Sequence, residues 1–485
     1  MIHVIGGGLA GSEAAWQAAS RGETVSLHEM RPVRRTAVHQ TDRLAELVCS
    51  NSFRGDKLDN AVGLLKAELR LAGSLVVRAA DAARVPAGAA LAVDRERFAE
   101  TVTGAVEGHP LITVVREEVP RLADLLDRGA PVVVATGPLT SDALASDIAR
   151  FIGQEALSFY DAISPIVLAD TIDMEKVFRA SRWDRSLDRD RGPGIGDRGS
   201  EFSAVLRASS PQPPIPDPQP PISGGDYLNC PLTRDEYERF YAAVTAAESA
   251  TVHDFDRATF FEGCLPIEVM AHRGVDTLRY GPMKPVGLVD PRTGRRPYAV
   301  VQLRQDNLAG DHYSLVGFQT QLKWSEQARV LRLIPGLERA EFVRLGMVHR
   351  NTYINGPKVL TETWQVRGRA DVFFAGQISG VEGYVESAAS GLMAGRHAAT
   401  LARGGRPVAP PRSTAHGALA YYVSHADPHH YQPTNITFGI MEPPPHAPRD
   451  RGARKLAIAE RALRDLEIWI ASDPAPAAVG PVPVS

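Results

Sequence analysis

The feature that most restricts the fold is a glycine-rich turn near the start of the chain. The apolar run Ile2–Ile5 leads into the spacing Gly6-x-Gly8-x-x-Gly11, and a helical stretch follows from Ser12 to about Ser20. In a dinucleotide-binding βαβ unit, the first glycine permits the tight turn and the second lets the backbone approach the pyrophosphate. The third lets helix and strand pack closely. The pattern therefore predicts a phosphate at the N-terminus of this helix.

A second strand and an acidic residue complete the predicted nucleotide site. The segment from Thr24 to Leu27 is predicted to be a strand, and it leads to Glu29, 18 residues after Gly11. A carboxylate about 20 residues after the last glycine holds an adenosine ribose without a 2′-phosphate, so FAD or NAD is expected rather than NADP. The alternative is an ordinary glycine-rich turn. The candidate cofactor-binding residues are Gly6, Gly7, Gly8, Leu9, Ala10, Gly11 and Glu29.

A similar pattern occurs far downstream. The segment 371–375, which is apolar after Asp371, ends in a glycine-rich turn, and an Ala- and Gly-rich stretch predicted to be a helix follows from 387 to 401. The apolar segment 131–136 is predicted to be a further strand beneath the dinucleotide. An ordinary βα unit is the alternative, but two such motifs indicate one long cofactor held by both ends of the chain, for which FAD is long enough. The further candidates are Gly376, Gln377, Gly380, Gly383 and Tyr384.

The middle of the chain has a different composition. The segment 179–198 alternates Arg with Asp and Gly, and 211–221 carries seven prolines, which favour an extended loop. The sequence therefore predicts an α/β protein with an inserted smaller α+β domain and C-terminal helices near 418–423 and 455–470. The predicted divisions are a Rossmann-like FAD-binding domain at 1–164 and 291–403, the insertion at 165–290, a C-terminal helical segment at 404–471 and a disordered tail at 472–485.

Composition narrows the functional classes. The 485 residues include 54 Lys+Arg and 57 Asp+Glu, a formal net charge of −3. This balance excludes a wholly basic coat protein for nucleic acid but not a local basic face. With no long apolar run and no signal pattern, we expect a cytoplasmic protein with neither a membrane nor DNA as a partner. The cluster His425-x-Asp427-x-His429-His430 lacks helical spacing, so no metal site is predicted.

The three cysteines contain no CxxC pair, which argues against a disulfide framework and a structural zinc site. Cys49 lies about 20 residues after Glu29, where flavin disulfide reductases place redox thiols. Arg54 is interpreted either as stabilising the Cys49 thiolate or as forming a surface salt bridge. The alternative for Cys49 is a small core residue. Cys230 closes the Pro-rich run, whereas Cys264 has apolar neighbours and is interpreted as structural. Because the candidate thiols are far apart in sequence, simple disulfide reductase chemistry is disfavoured.

Longer stretches resemble the bacterial folate- and FAD-dependent tRNA uracil-5 methyltransferases, which form 5-methyluridine in the T loop. The matching stretches span residues 2 to about 439 and include VIGGGLAGSEAAWQAASRG, LVCSNSFRGD, DYLNCPLTRDEY, RYGPMKPVGL, YAVVQLRQDN, FFAGQISGVEGYVESAASG and QPTNITFG. The Pro-rich insert at 211–221 departs from the family pattern. The related flavoproteins that act on the wobble uridine of tRNA share the first motif but are longer at the C-terminus.

The resemblance implies FAD as cofactor, with 5,10-methylenetetrahydrofolate as carbon donor and NAD(P)H as reductant. Uracil C5 is a poor nucleophile, so a thiolate first adds to C6 and generates an enolate that attacks the one-carbon unit. The resemblance also implies that Cys49 and Cys230 are the two essential cysteines. Cys49 is assigned to the flavin side and Cys230 to the uracil side, although which of them attacks C6 stays open.

The implied partner is the tRNA T loop, whose uracil must be extruded into a pocket. The segment 31–57 carries six Lys/Arg against three acids and is a candidate RNA contact, with a solvated face as the alternative. Arg279 and Lys284 are candidates for folate glutamate or RNA phosphate, with an ordinary surface role as the alternative. The competing functions are the same chemistry on ribosomal RNA, an RNA chaperone without turnover and an FAD oxidase. The oligomeric state, a homo-oligomer included, stays open.

Overall fold

The structure is a computed structural model that describes residues 1–36, 38–126, 130–153, 157–184, 225–249 and 265–472. Several sequence predictions lie outside the described residues: the Pro-rich run at 211–221, most of the Arg/Asp run before it, the structural role of Cys264, and residues 473–485 of the predicted tail.

Seventeen strands and fourteen α-helices are assigned within the described residues. The strands are β1 Ile2–Ile5, β2 Val25–Glu29, β3 Ser52–Gly55, β4 Arg84–Val85, β5 Ala90–Val93, β6 Ile112–Arg116, β7 Val132–Val134, β8 Leu157–Ala162, β9 Ile166–Leu168, β10 Phe178–Arg179, β11 Tyr227–Leu232, β12 Ala299–Gln305, β13 His312–Leu315, β14 Phe342–Arg344, β15 Val348–Tyr353, β16 Gln365–Val366 and β17 Arg369–Phe374. The helices are α1 Leu9–Ala19, α2 Ala61–Leu71, α3 Leu75–Ala82, α4 Arg95–Glu107, α5 Ala123–Leu126, α6 Asp142–Ile152, α7 Arg234–Ala246, α8 Ile267–His272, α9 Thr277–Tyr280, α10 Trp324–Leu331, α11 Gly356–Val359, α12 Tyr384–Ala402, α13 Ala415–His425 and α14 Arg451–Ser472.

The first large sheet has the order β16-β17-β7-β1-β2-β6. Its neighbouring strands are parallel except for the β16–β17 pair at one edge. Strand β1 lies inside the sheet and all four of its residues are buried, as expected for a parallel sheet covered on both faces. This arrangement confirms the Rossmann-like α/β class.

The two glycine-motif helices, α1 and α12, pack against each other at backbone distance. A Cβ at Gly391 would lie 2.3 Å from the carbonyl oxygen of Ala10, and one at Gly395 would lie 2.3 Å from that of Ala14. Real Cβ atoms do not approach so closely, so only glycine at these two positions permits the helices to meet. This packing places the two glycine motifs, which lie far apart in the sequence, next to each other.

A second sheet, of order β10-β11-β12-β13-β9-β14, is antiparallel. It has its own core, which includes Tyr237, Phe240 and Phe318. The predicted boundary at residue 290 falls between strands of this sheet, because β12, β13 and β14 all belong to it. We therefore propose that the second unit extends from the start of β9 to the end of β14, at 166–344.

The C-terminal helices α13 and α14 cover the predicted helical stretches and extend them at both ends. Glu68 on α2 accepts hydrogen bonds from the backbone N–H groups of Ala415 and His416 at 2.7 and 3.0 Å, which fixes the start of α13. Within the part of the chain that the structure describes, no helix is both long and apolar enough to cross a membrane.

Candidate active site

A cavity of about 510 Å³ lies at the carboxyl ends of the parallel strands. Both glycine motifs and Cys49 contribute to its wall, so the structure brings together most of the predicted site. The predicted residues in the lining are Gly6, Gly7, Gly8, Leu9, Ala10, Glu29, Cys49, Gly376, Gln377, Gly383 and Tyr384. Gly11, Gly380 and Cys230 are not among the lining residues.

The glycines of the first motif form a cradle at the N-terminus of α1, and they have different structural roles. Gly6 has a φ of +98°, and a Cβ at Gly11 would lie only 1.7 Å from the carbonyl oxygen of Gly6. At Gly8, the N-cap of α1, a Cβ would meet no atom within 4 Å. Gly11 therefore serves the close packing of helix and turn, whereas Gly8 leaves space in the cavity for a phosphate group.

Glu29 lies at the end of β2 and lines the cavity. Its Oε2 accepts the backbone N–H of Gly7 at 2.8 Å, and its Oε1 accepts the backbone N–H and the Nε–H of Arg31, each at 2.9 Å. Burial of the carboxyl group opposes its ionisation. The bonds and charge of Arg31 and the bond from Gly7 outweigh burial and hold the pKa of Glu29 below its ordinary value. The site therefore presents a carboxylate.

Cys49 is half-buried in a loop that the Tyr384 side chain holds. The Tyr384 hydroxyl oxygen accepts the backbone N–H groups of Cys49 and Ser50, both at 3.0 Å. Tyr384 is the first residue of α12, so the second glycine motif sets the position of the cysteine loop directly. Burial raises the pKa of Tyr384 well above its ordinary value, which keeps this hydroxyl neutral.

Two arginines hold the same loop. Arg95 donates to the carbonyl oxygens of Leu47 at 2.6 Å and Cys49 at 3.4 Å, and it pairs with Asp306 at 2.8 Å. Arg304, from β12 of the second sheet, donates from Nη2 to Ser50 Oγ at 2.8 Å. The loop that carries Cys49 is therefore held by helix α4 and by β12 of the second sheet, and the guanidinium groups give it a cationic setting of the kind that favours a thiolate.

Arg304 also donates from Nε to Asn51 Oδ1 at 2.8 Å, and it lines the cavity. Reasoning from the sequence did not select it or Arg95. Arg304 lies within the stretch YAVVQLRQDN, so the resemblance contained a signal for it, whereas no local pattern marks Arg95.

Arg54 lines the cavity but is engaged elsewhere. Its guanidinium forms a short ion pair with Glu386 of α12, whose side chain is fully buried. Glu386 also accepts the backbone N–H of Ile436 at 2.9 Å. The two sequence interpretations of Arg54 were a surface salt bridge and stabilisation of the Cys49 thiolate. The structure shows a half-buried salt bridge that ties β3 to α12.

Cys230 lies on β11 and is 0 % exposed. Its neighbours in the core of the second sheet include Leu228 and Leu232, and burial raises the pKa of its thiol far above the ordinary value. It pairs with Val301 in the β11–β12 ladder, three positions from Arg304, a separation of about 10 Å along the strand. The structure does not bring Cys230 to the cavity, and its catalytic role stays a prediction.

The remaining predicted contacts are mostly occupied within the chain. Arg279 donates to Asp276 at 2.7 Å and lies 3.7 Å from the ring centroid of Tyr298. The arginines of the basic segment 31–57 form ion pairs that include Arg31–Glu29, Arg31–Glu46, Arg34–Glu118, Arg43–Glu100 and Arg54–Glu386. These pairs reduce the charge that the segment can offer to RNA.

The histidine cluster near the C-terminus is also engaged internally. His430 pairs with Asp427 at 2.7 Å, and the ring of His425 stacks on Tyr421 with centroids 4.3 Å apart. Among the residues that the structure describes, no three metal-binding side chains lie close enough together to hold a metal ion.

Comparison with known proteins identifies the family. The family model for glucose inhibited division protein A matches residues 1–191 and 194–406. A protein of Symbiobacterium thermophilum named methylenetetrahydrofolate–tRNA-(uracil-5-)-methyltransferase TrmFO is 57% identical over 472 residues, covering 96% of each chain. A protein of the same name from Moorella thermoacetica is 54% identical over 473 residues, covering 97% of this chain and 98% of its own.

Solved structures show the same fold. Aquifex aeolicus GidA has a TM-score of 0.65 and 18% identity in one crystal form, and the match covers 96% of this chain and 76% of that chain. At this identity the likeness concerns the fold alone. The family predicted from the sequence is confirmed by the curated relatives: the chain belongs to the TrmFO family of methylenetetrahydrofolate–tRNA-(uracil-5-)-methyltransferases, within the wider glucose inhibited division protein A family.

Proposed function

We propose that this protein methylates C5 of the T-loop uridine (position 54) of tRNA, with methylenetetrahydrofolate as carbon donor and FAD as cofactor. The observation that carries the proposal is the shared cavity: a dinucleotide cradle and the Cys49 thiol line the same space. The TrmFO relatives, at 54–57% identity over nearly the whole chain, support the reaction and the RNA substrate.

The residues of the cavity fit a flavin dinucleotide. Gly8 leaves open space at the N-terminus of α1, and the second motif reaches the cavity through Gly376, whose φ is +75°. The Glu29 carboxylate suits a ribose without a 2′-phosphate. When bound, FAD would supply the redox chemistry that carries the one-carbon unit and reduces it to a methyl group, with NAD(P)H as the source of electrons.

We propose that Cys49 is the thiol that works in this cavity. A thiolate at uracil C6 would form the S–C6 bond and move electron density onto C5, which then bonds to the one-carbon unit. Loss of the C5 proton to a base would expel the nitrogen that carried the one-carbon unit and leave an exocyclic methylene on C5. Addition of a hydride to this methylene would give the methyl group and expel the thiolate from C6, which restores the C5–C6 double bond; FAD, when bound and reduced, would supply the hydride. The guanidinium groups of Arg95 and Arg304 would stabilise the thiolate, and Arg304, which lines the cavity, would also stabilise the enolate charge that develops on the ring.

Cys230 is kept in the proposal as the second essential cysteine. It was assigned to the uracil side from the sequence, and it is the alternative to Cys49 as the thiol that attacks C6. For its thiol to reach a uracil, β11 would have to move so that the residue leaves the core. A packing role for Cys230 is the competing interpretation, which rests on its full burial.

The target uracil is stacked and paired within the T loop of the tRNA. It must be extruded from the loop, because its C5–C6 edge cannot otherwise reach the cavity of the enzyme. Because the ion pairs in 31–57 reduce the charge that this segment can offer to RNA, the surface that contacts RNA is to be located by experiment. We include in the proposal a cytoplasmic location, where tRNA is the available substrate, and leave a homo-oligomer as a further state to be measured.

The direct test uses the purified flavoprotein with unmodified tRNA, methylenetetrahydrofolate and NADPH, and nucleoside mass spectrometry as the readout. The proposal expects 5-methyluridine in the T loop only when all components are present. Ribosomal RNA is run in parallel. Product on ribosomal RNA with none on tRNA would exclude the tRNA assignment, and absence of 5-methyluridine from both would exclude the reaction.

A further inference from the structure

Lys66 is a buried lysine whose ammonium group contacts three consecutive carbonyls. It lies on α2 and is 0 % exposed. Its Nζ donates to the carbonyl oxygens of Phe53, Arg54 and Gly55 at 2.9, 3.0 and 2.7 Å. An ammonium group has three N–H donors, so each carbonyl can receive one. Because a buried charge is costly unless it is hydrogen-bonded, this arrangement ties α2 firmly to β3.

The strand that Lys66 holds is irregular. The backbone of Arg54 has a φ of +62°, a conformation that non-glycine residues rarely adopt. The pairing of β3 with β5 also shifts register between Ser52 and Gly55. The sheet therefore cannot define this stretch by a regular ladder, and such a strained segment persists only when its surroundings hold it. Lys66 supplies that support from behind the strand.

The same stretch forms one wall of the cavity. Cys49, Ser50, Ser52 and Arg54 all line the space, whereas Lys66 lies behind them and does not. Arg54 extends from the strained residue to its ion pair with Glu386 of α12. A shift of β3 would therefore move Arg54 and, through the short connection between residues 49 and 52, the cysteine loop as well.

We propose that Lys66 is a positioning residue for the cavity wall from Cys49 to Arg54. The three carbonyl contacts of its ammonium group fix the irregular strand, and the strand fixes the wall. Lys66 acts through the backbone and contacts neither cofactor nor substrate. The inference concerns the same site as the proposed methylation and rests on it for the expected loss of activity.

The protonation state of Lys66 provides a signature of this role. Burial lowers the pKa of Lys66 to about 8, Asp56 at 3.4 Å opposes this decrease, and the charge of Arg70 adds to it. The charged groups facing the ammonium are Asp56, Arg70 and Arg54, with Arg84 held against Asp56 at 2.9 Å. As the pH rises through about 8, the amine keeps two N–H donors and one carbonyl contact is lost.

The test compares Lys66→Met with Glu68→Gln in the full-length flavoprotein. Glu68 is a matched control because it lies on the same helix and is equally buried, but it holds α13 instead of β3. Hydrogen–deuterium exchange of peptides covering 49–56, corrected for the intrinsic rate at each pH, reports the wall without requiring turnover. Lys66→Arg retains a charged donor and is a second variant if Lys66→Met does not fold.

The proposal expects Lys66→Met to lose at least tenfold in protection at 49–56, and to lose roughly 10- to 100-fold in kcat for methylation. Wild-type protection should fall between pH 7 and 9, whereas the low protection of Lys66→Met should not change. Glu68→Gln should keep the wild-type exchange pattern. The protection of Lys66→Arg at 49–56 should lie between that of wild type and that of Lys66→Met. Wild-type protection in Lys66→Met, or wild-type pH dependence in that variant, would overturn the proposal. An inactive wild type with the expected exchange pattern would refute the methylation instead.

Discussion

We predict that removing the Tyr384 hydroxyl, a single oxygen atom, lowers the activity of the enzyme strongly. Tyr384→Phe deletes the acceptor of two backbone N–H bonds, those of Cys49 and Ser50 at 3.0 Å each. A buried donor left without a partner costs about 1–3 kcal/mol. Two donors lose their acceptor, but water from the cavity can replace part of it, so we expect the ordered loop to be destabilised by about 1–3 kcal/mol in all. This free energy corresponds to a decrease of roughly 5- to 150-fold in the population of the ordered loop.

The assay is kcat/KM for tRNA methylation, measured on protein whose flavin content is verified by its visible absorbance. Tyr241→Phe is the matched control, because its hydroxyl donates to the carbonyl oxygen of Ala271 at 3.1 Å in the second unit. We expect the control to lose some stability and to keep kcat/KM within twofold. A Tyr384→Phe enzyme with full flavin content and kcat/KM within twofold of wild type would refute the positioning of the Cys49 loop by this hydroxyl.

Further substitutions at the cysteines, the glycine cradle and Glu29 test the site. Cys49→Ala and Cys230→Ala should each abolish 5-methyluridine while FAD is retained; wild-type activity in either would remove that cysteine from the chemistry, and an active Cys230→Val would assign Cys230 to packing. Gly8→Ala should fold but bind FAD about tenfold more weakly because its Cβ enters the cavity, and normal flavin affinity would contradict the cradle; Gly11→Ala should not fold. The pKa of Glu29 is lowered in the folded state, so its stabilisation is present above its ordinary value of 4.5 and is lost as the pH falls through the folded pKa. Thermal melts of Glu29→Gln should therefore differ from wild type at pH 7 and converge in acid, and a constant difference would oppose this.

Local patterns in the sequence predicted the first motif well. The turn, the helix behind it and Glu29 at the strand end are all encoded within about 30 consecutive residues, where each position has a steric or electrostatic reason. The helix begins at Leu9 instead of Ser12 because Gly8 is its N-cap, and β2 extends to Glu29 itself. The second motif was found for the same reason.

Features that depend on distant pairing were not predictable in this way. The pairing of β11 with β12 joins Cys230 to Val301, and nothing near residue 290 marks that partnership. The charge count over 31–57 likewise could not show that its arginines pair with distant acids such as Glu118. One signal was available but not used: alternation in YLNCPL places Cys230 on the same face as Leu228 and Leu232, the face that forms the core.

The backbone contact between α1 and α12 also has a consequence for synthesis of the protein. A chain emerging from the ribosome exposes the first glycine motif early, but the helix that packs against it is made only after the whole second sheet. The cradle therefore cannot be complete on a nascent chain that ends before α12, even though its N-terminal sequence is already present. Loading of the flavin is expected to be a late event in biosynthesis, and fragments that end before α12 should be released without it.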